Sequence, residues 1–176
     1  MVRSILDDLL TVQRISAVPA ILQVVSETTG LRFAAVARVT ENSWTACAVL
    51  DRIEFGLKVG GELDVTTTLC SEIHASQQPI IISQVSADPD YCKHHTPQMY
   101  GFESYISVPV LRADGSFFGT LCALDPLPRD LSSPATRAMF ESFARLLTLQ
   151  IEAEEQQQAT REALADERIT GHQRAQ

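Results

Sequence analysis

The residues best equipped for chemistry crowd into one short stretch of this chain, Asp88 to Tyr105. It carries Asp88, Asp90, Tyr91, Cys92, Lys93, His94, His95, Tyr100 and Tyr105. A thiol beside a lysine and two imidazoles has surroundings that lower its pKa and favour the nucleophilic thiolate. Cys92, His94 and His95 are also metal-ligating types, with His74 or the aspartates to complete a set of four. Adjacent histidines project in different directions from a helix or a strand, so the two rarely share an ion, and no metal site is expected. Tyrosines and histidines on an irregular segment suit a binding loop carried by a rigid scaffold. The expected ligand-binding residues are therefore Tyr91, Cys92, His94, His95, Tyr100 and Tyr105, with His74 folded back beside them. The alternative is that Tyr91, Tyr100 and His94 only pin the loop by hydrogen bonds.

Other chemistry finds little support. The chain has no Gly-rich phosphate loop, no Gly-x-Ser-x-Gly elbow and no His-Glu-x-x-His, and no catalytic residue is assigned. The carboxylate pairs Asp7-Asp8 and Glu154-Glu155 are expected to be solvated charges on exposed helix faces. Cys47, Cys70, Cys92 and Cys122 lie far apart with no Cys-x-x-Cys pair, the pattern of reduced thiols in a cytoplasmic protein. Acidic residues number 22 against 14 basic, a balance of −8 that would repel phosphate backbones and anionic membranes. Neither nucleic acid nor membrane is an expected partner. No stretch approaches the roughly 20 apolar residues of a membrane span, and the aspartates of MVRSILDDLL fall where a signal peptide needs its apolar core.

The elements that must position these side chains can be read from periodicity. Apolar residues at 45% and charged residues at 20% describe a folded chain, and 176 residues suffice for one core with an appendage. An amphipathic helix is expected over Val2–Arg14, and a second from about Pro19 to Thr29, closed by Gly30. Leu31–Val39 and Trp44–Ile53 read as strands, and Gly56, Gly60 and Gly61 mark a loop. Thr66–Gln77 reads as a helix ended by Pro79, and Ile80–Ile82 as a brief strand. The Ser86–Met99 segment is irregular, with a turn or two of helix interrupted before Pro97. A last helix starts near Ala135, with Phe140, Ala144, Leu147 and Ile151 on one stripe. Beyond Ala153 the chain stays helix-prone but loses its apolar stripe. The expected divisions are an N-terminal helix over 1–16, a domain over 17–153, and a helical connector or tail over 154–176.

Tyr100 to Asp125, YGFESYISVPVLRADGSFFGTLCALD, reads as two strands joined at Asp114-Gly115, residues that tolerate the positive φ of a primed hairpin turn. Pro109 cannot donate to a ladder, so its strand is at an edge, bulged, or unpaired on that side. This wording resembles the closing hairpin of GAF domains, the small sensory modules of bacterial signalling proteins. The resemblance runs from about Ser16 to Ala153, and the order of helices and strands agrees with it. The expected fold class is α+β, with a central antiparallel sheet of five to six strands and helices on both faces.

The resemblance implies a small-ligand-binding sensory domain whose Asp88–Tyr105 segment forms the pocket lid. It implies flanking helices that dimerise and continue into an output such as a histidine kinase or a cyclic-dinucleotide enzyme. Ile5, Leu9 and Val12 with Phe140, Leu147 and Ile151 are the expected dimer stripes. The cofactor is unknown, and a bilin is one possibility: in bilin-binding GAF domains a cysteine on a short helix before the Val-Pro strand carries the chromophore, and Cys92 is similarly spaced from Pro109. Lys93 stands where those proteins usually have His or Tyr. Free methionine sulfoxide reductases share the fold and use cysteine thiolates, which would make Cys70 and Cys92 the reactive pair. Their reactive cysteine lies nearer the following strand, where this chain has Gln98 and Met99.

Overall fold

The computed structural model describes residues 3–175. Helix α1 spans Ile5–Arg14 and opens on a reciprocal cap: the Ser4 hydroxyl accepts the Asp7 N–H, and the Asp7 carboxylate accepts the Ser4 N–H. Val2, the expected start, lies outside the described residues. Helix α2, Val18–Thr29, has Pro19 in its first turn and ends on Gly30 at φ 77°, a left-handed conformation that favours glycine.

Six strands follow in one antiparallel sheet: β1 Phe33–Val39, β2 Trp44–Asp51, β3 Glu62–Leu63, β4 Ile80–Ile82, β5 Ser104–Leu111 and β6 Phe117–Asp125. Their spatial order is β3-β2-β1-β6-β5-β4. The short β3 falls in the segment expected to be loop. Backbone bonds from Gly60 to Ala46 and from Ala46 to Gly61 hold it beside β2. Pro109 sits two residues past the last β4 pairing, Ile80 with Ser107, on a side with no ladder to break. Gly119 lets β6 meet β1, because a Cβ there would lie 1.8 Å from the Ala37 carbonyl oxygen.

The hairpin turn differs from the expected primed type. Positive φ falls on Gly115 alone of the pair, at 87°. Gly115 N–H donates to Arg112 and Arg112 N–H to Ser116, which is a three-residue loop with a bulge between Val110 and Leu111. A second irregularity lies in β2: Val36 pairs with Ala48 but Ala37 with Ala46, leaving Cys47 as the extra residue. Gln13 of α1 donates its side-chain amide to the Cys47 carbonyl that the bulge frees.

Alternation along the strands makes two cores. Ala34, Val36, Ile106, Val108 and Phe118 face α1, α2 and the long helix α5, Pro134–Arg174. Phe33, Ala35, Ala37, Tyr105 and Cys122 face the opposite way, under two short helices, α3 Cys70–Ser76 and α4 His95–Tyr100. The expected helix over Thr66–Gln77 is broken. Asp64 and the hydroxyls of Thr66, Thr67 and Thr68 bond locally to backbone and to each other, so Val65–Thr67 forms a tight turn before α3 begins. Pro97 does not interrupt a helix: it lies in the first turn of α4, which His94 caps by accepting the Thr96 N–H at 3.1 Å.

Asp8 overturns the reading of Asp7-Asp8 as solvated charges. It is 1% exposed and accepts hydrogen bonds from Arg38 and Arg112, both at 2.8 Å, with Arg3 at 3.4 Å. Glu155 of α5 pairs with Arg112 as well, so it too is engaged. Both the Arg38 and Arg112 guanidiniums lie over the Phe118 ring, at 5.3 and 5.1 Å from its centroid. Sequence period places Asp8 on the helix, but only the arginines of β1 and the β5–β6 turn make its burial tolerable. Val12, Phe140, Leu147 and Ile151 are likewise taken up by the sheet, and Leu6, Leu10, Leu146, Leu149 and Leu164 are the leucines left exposed on α1 and α5.

Candidate functional site

The face under α3 and α4 holds a small cavity of about 40 Å³. Its walls are aromatic and aliphatic: Phe33, Phe55, Leu57, Phe102 and Leu124. Its polar end is made by Trp44, Cys70, Tyr105 and Cys122. A second, open groove of about 510 Å³ adjoins it, reaching Glu54, Met99 and Pro126. Phe55, Leu57, Leu63, Tyr100 and Leu124 line both spaces and so form the partition between them. Ligand pockets run to roughly 300–1,000 Å³; the groove alone lies in that range, and the aromatic cavity reaches it only when the partition opens and the two spaces join.

The partition is built to hold its place without regular structure. Phe55 packs on Phe33 at 4.7 Å and on Tyr100 at 6.0 Å between ring centroids. Its loop turns through Glu54 and Gly56, both at positive φ. The Asp51 carboxylate accepts the N–H groups of Ile53, Phe55 and Gly56 at 2.9–3.1 Å. Burial pushes that carboxyl up, but the three donors outweigh it, and its pKa lies below the ordinary value. Opposite, the Tyr100 hydroxyl bonds Thr67 at 2.6 Å, and Thr96 donates to the Thr67 carbonyl. The cover is thus laced to itself by side chains.

At the polar end, Cys70 Sγ lies 3.3 Å from Thr120 Oγ1 and 3.5 Å from the Tyr105 hydroxyl. Cys122 lines the same end of the cavity. The neighbouring Cys122, ahead of opposing burial, and then the Thr120 and Tyr105 hydroxyls hold the Cys70 thiol below its ordinary range. Cys122, engaged with Cys70 and buried, is pushed well above the ordinary thiol range. Burial, and then the Cys70 charge, also raises Tyr105.

Of the residues expected to bind ligand, Tyr100 and Tyr105 line the cavity. Tyr91, His94 and His95 stack outside it: Tyr91 lies 5.7 Å from His94, and His94 is stacked on His95 at 4.5 Å. His94 Nε2 meets Glu72 of α3 at 2.7 Å, which ties the Asp88–Tyr105 segment to α3. His74 is elsewhere on α3, edge-on to Phe117. Cys92 is exposed and lines neither space. The thiol beside Cys70 is Cys122, not the Cys92 that the reductase resemblance pairs with it. Among the described residues no group of three or more His, Cys, Asp or Glu could hold a metal ion. The missed residues Phe33, Cys122 and Leu124 had a signal in strand alternation; Phe55 and Leu57, in an irregular loop, had none.

The GAF domain family model matches residues 13–151. No curated protein sequence matches the chain. Among solved structures, the bacteriophytochrome RpBphP3 from R. palustris is similar with a TM-score of 0.70 at 16% identity, covering 95% of this chain and 40% of that one. The GAF domain from Acinetobacter phosphoenolpyruvate-protein phosphotransferase gives 0.60 at 18%, covering 88% and 97%. A free methionine-R-sulfoxide reductase from Neisseria meningitidis, in complex with its substrate, gives 0.58 at 18%, covering 86% and 88%. At these identities the likeness is one of fold.

Proposed function

We propose, from the premise that the chain belongs to the GAF domain family, that it is a cytoplasmic sensor of a small, largely apolar ligand. The ligand enters between Tyr100 and Phe55 and fills the joined cavity and groove. Its occupancy is relayed through α1 and α5 of a homodimer to an output such as a histidine kinase or a cyclic-dinucleotide enzyme. The domain itself performs no catalysis in this reading. The observation that carries it is a partition of five side chains between a small apolar cavity and a larger groove, on the sheet face opposite the terminal helices. A ligand that favours the open arrangement shifts the equilibrium by its differential affinity alone.

The test is native mass spectrometry and an absorption spectrum of protein purified from its own cells. The expected result is a colourless, non-covalent added mass that Tyr100→Ala releases. Visible absorption with zinc-enhanced fluorescence, lost in Cys92→Ala, would instead make the chain a bilin photoreceptor. Turnover of free methionine sulfoxide, abolished by Cys70→Ser, would make it an enzyme.

A further inference from the structure

The polar end of the cavity has chemistry that ligand retention does not use. Cys70 and Cys122 are 2% and 4% exposed, are both free thiols, and line the same small cavity from α3 and β6. The hydroxyls of Thr120 and Tyr105 reach the Cys70 sulfur at 3.3 and 3.5 Å. Trp44, 3% exposed, lines the same cavity, and among the described residues its Nε1–H has no hydrogen-bond partner. Buried donors are rarely left orphaned, and a neutral thiol is a weak acceptor. A thiolate at Cys70 accounts for the indole donor as well as the hydroxyls. The cavity itself sets the size of reactant. A water needs roughly 10–15 Å³ of such space, so about 40 Å³ admits a molecule of two or three heavy atoms with the partition closed.

We propose that Cys70 and Cys122 form a reactive dithiol that small hydroperoxides oxidise to a disulfide inside the cavity. The Cys70 thiolate attacks the terminal peroxide oxygen, the O–O bond breaks, and the leaving alkoxide or hydroxide takes a proton, giving an alcohol or water and a sulfenic acid on Cys70. The Cys122 sulfur then attacks Cys70: the S–S bond forms, the S–O bond breaks, and hydroxide leaves with the Cys122 proton as water. Two thiols lose two electrons and the peroxide gains them. Closing the bond to about 2.05 Å draws α3 and β6 together. Because α3 carries Glu72, the partner of His94, the covering segment moves with it. This chemistry goes beyond the sensory reading and needs no retained ligand.

The experiment exposes the full chain to hydrogen peroxide at low molar excess, then unfolds and alkylates it for peptide mapping. The expected result is a Cys70–Cys122 linked peptide and the loss of two hydrogens, both reversed by dithiothreitol and both retained in Cys92→Ser. Trp44, the one tryptophan of the chain, reports the same event by a loss of emission that dithiothreitol restores. In Cys122→Ser, dimedone should trap a sulfenic acid at Cys70; in Cys70→Ser the emission change should vanish. Should a serine variant fail to fold, the wild-type peptide map decides. Oxidation of Cys92 while Cys70 and Cys122 both remain alkylatable would overturn the proposal. So would an unchanged emission response in a folded Cys70→Ser. Loss of ligand binding would leave the linked peptide unaffected, so the two readings fail separately.

Discussion

The two faces of the sheet are closed by different means. One is covered by α1, α2 and α5, whose apolar stripes bury Val12, Leu22, Phe140 and Leu147 completely or nearly so. Its edge is locked by Asp8 among Arg3, Arg38 and Arg112. The other is covered by short helices and loops held by Asp51, Thr67, Thr96 and His94, each bonding to nearby backbone or to a neighbouring side chain. Long packed helices cannot yield in parts, because their stability comes from one continuous apolar contact. A cover laced by individual hydrogen bonds, each of roughly 1 kcal/mol net, can open locally while the domain stays folded. The contrast separates a face that can open locally from one that opens with the domain.

The largest effect is expected on the helix face. Phe140→Ala should cost about 3–5 kcal/mol in urea unfolding, the range for a fully buried aromatic, and a loss below about 1 kcal/mol would deny that face its structural role. Asp8→Asn should cost about 3 kcal/mol, because Arg38 and Arg112 are both largely buried and would lose their shared counter-charge. That loss should be larger than for any single hydrogen bond of the cover.

Asp51→Ala should cost only about 1–2 kcal/mol globally while stripping amide-exchange protection from Ile53, Phe55 and Gly56. Equal loss of protection across α5 would break the distinction between faces. The same carboxylate makes the cover acid-sensitive. Its folded pKa lies below the ordinary value, so its contribution is complete above the usual carboxylate range and is lost as pH falls through the depressed value. Protection factors at Phe55 and Gly56 should therefore fall below about pH 4, and remain flat in Asp51→Asn.

The smallest effect on stability is expected at the exposed leucines. Leu6→Glu with Leu149→Glu should change stability by no more than about 0.5 kcal/mol each. If α1 and α5 form the dimer contact, the same pair should shift sedimentation towards monomer at micromolar concentration. An unshifted dimer would place the interface elsewhere.

Period carried most of the architecture. The hairpin, Gly30, the Phe140–Ile151 stripe and the brief β4 are visible as alternation, punctuation or helical spacing. The split before α3 was not, because three threonines and Asp64 look helix-compatible in sequence and act as local hydrogen-bond competitors in space. The site was legible in part. Tyr100 and Tyr105 were singled out as chemistry-bearing residues of the covering segment. The importance of Phe55 depends on a loop that periodicity does not describe.

Sequence alone determined the class of fold, since strand and helix periods fix which side chains must be buried whatever their neighbours are. It also placed the hairpin and the start of the last helix. Tertiary structure alone decided the pairings. Asp8 became a buried carboxylate because arginines from distant strands surround it, and Cys70 met Cys122 rather than Cys92 because α3 lies across β6. Electrostatics and thiol chemistry depend on distances of a few ångströms between residues far apart in the chain, and no local pattern encodes those distances.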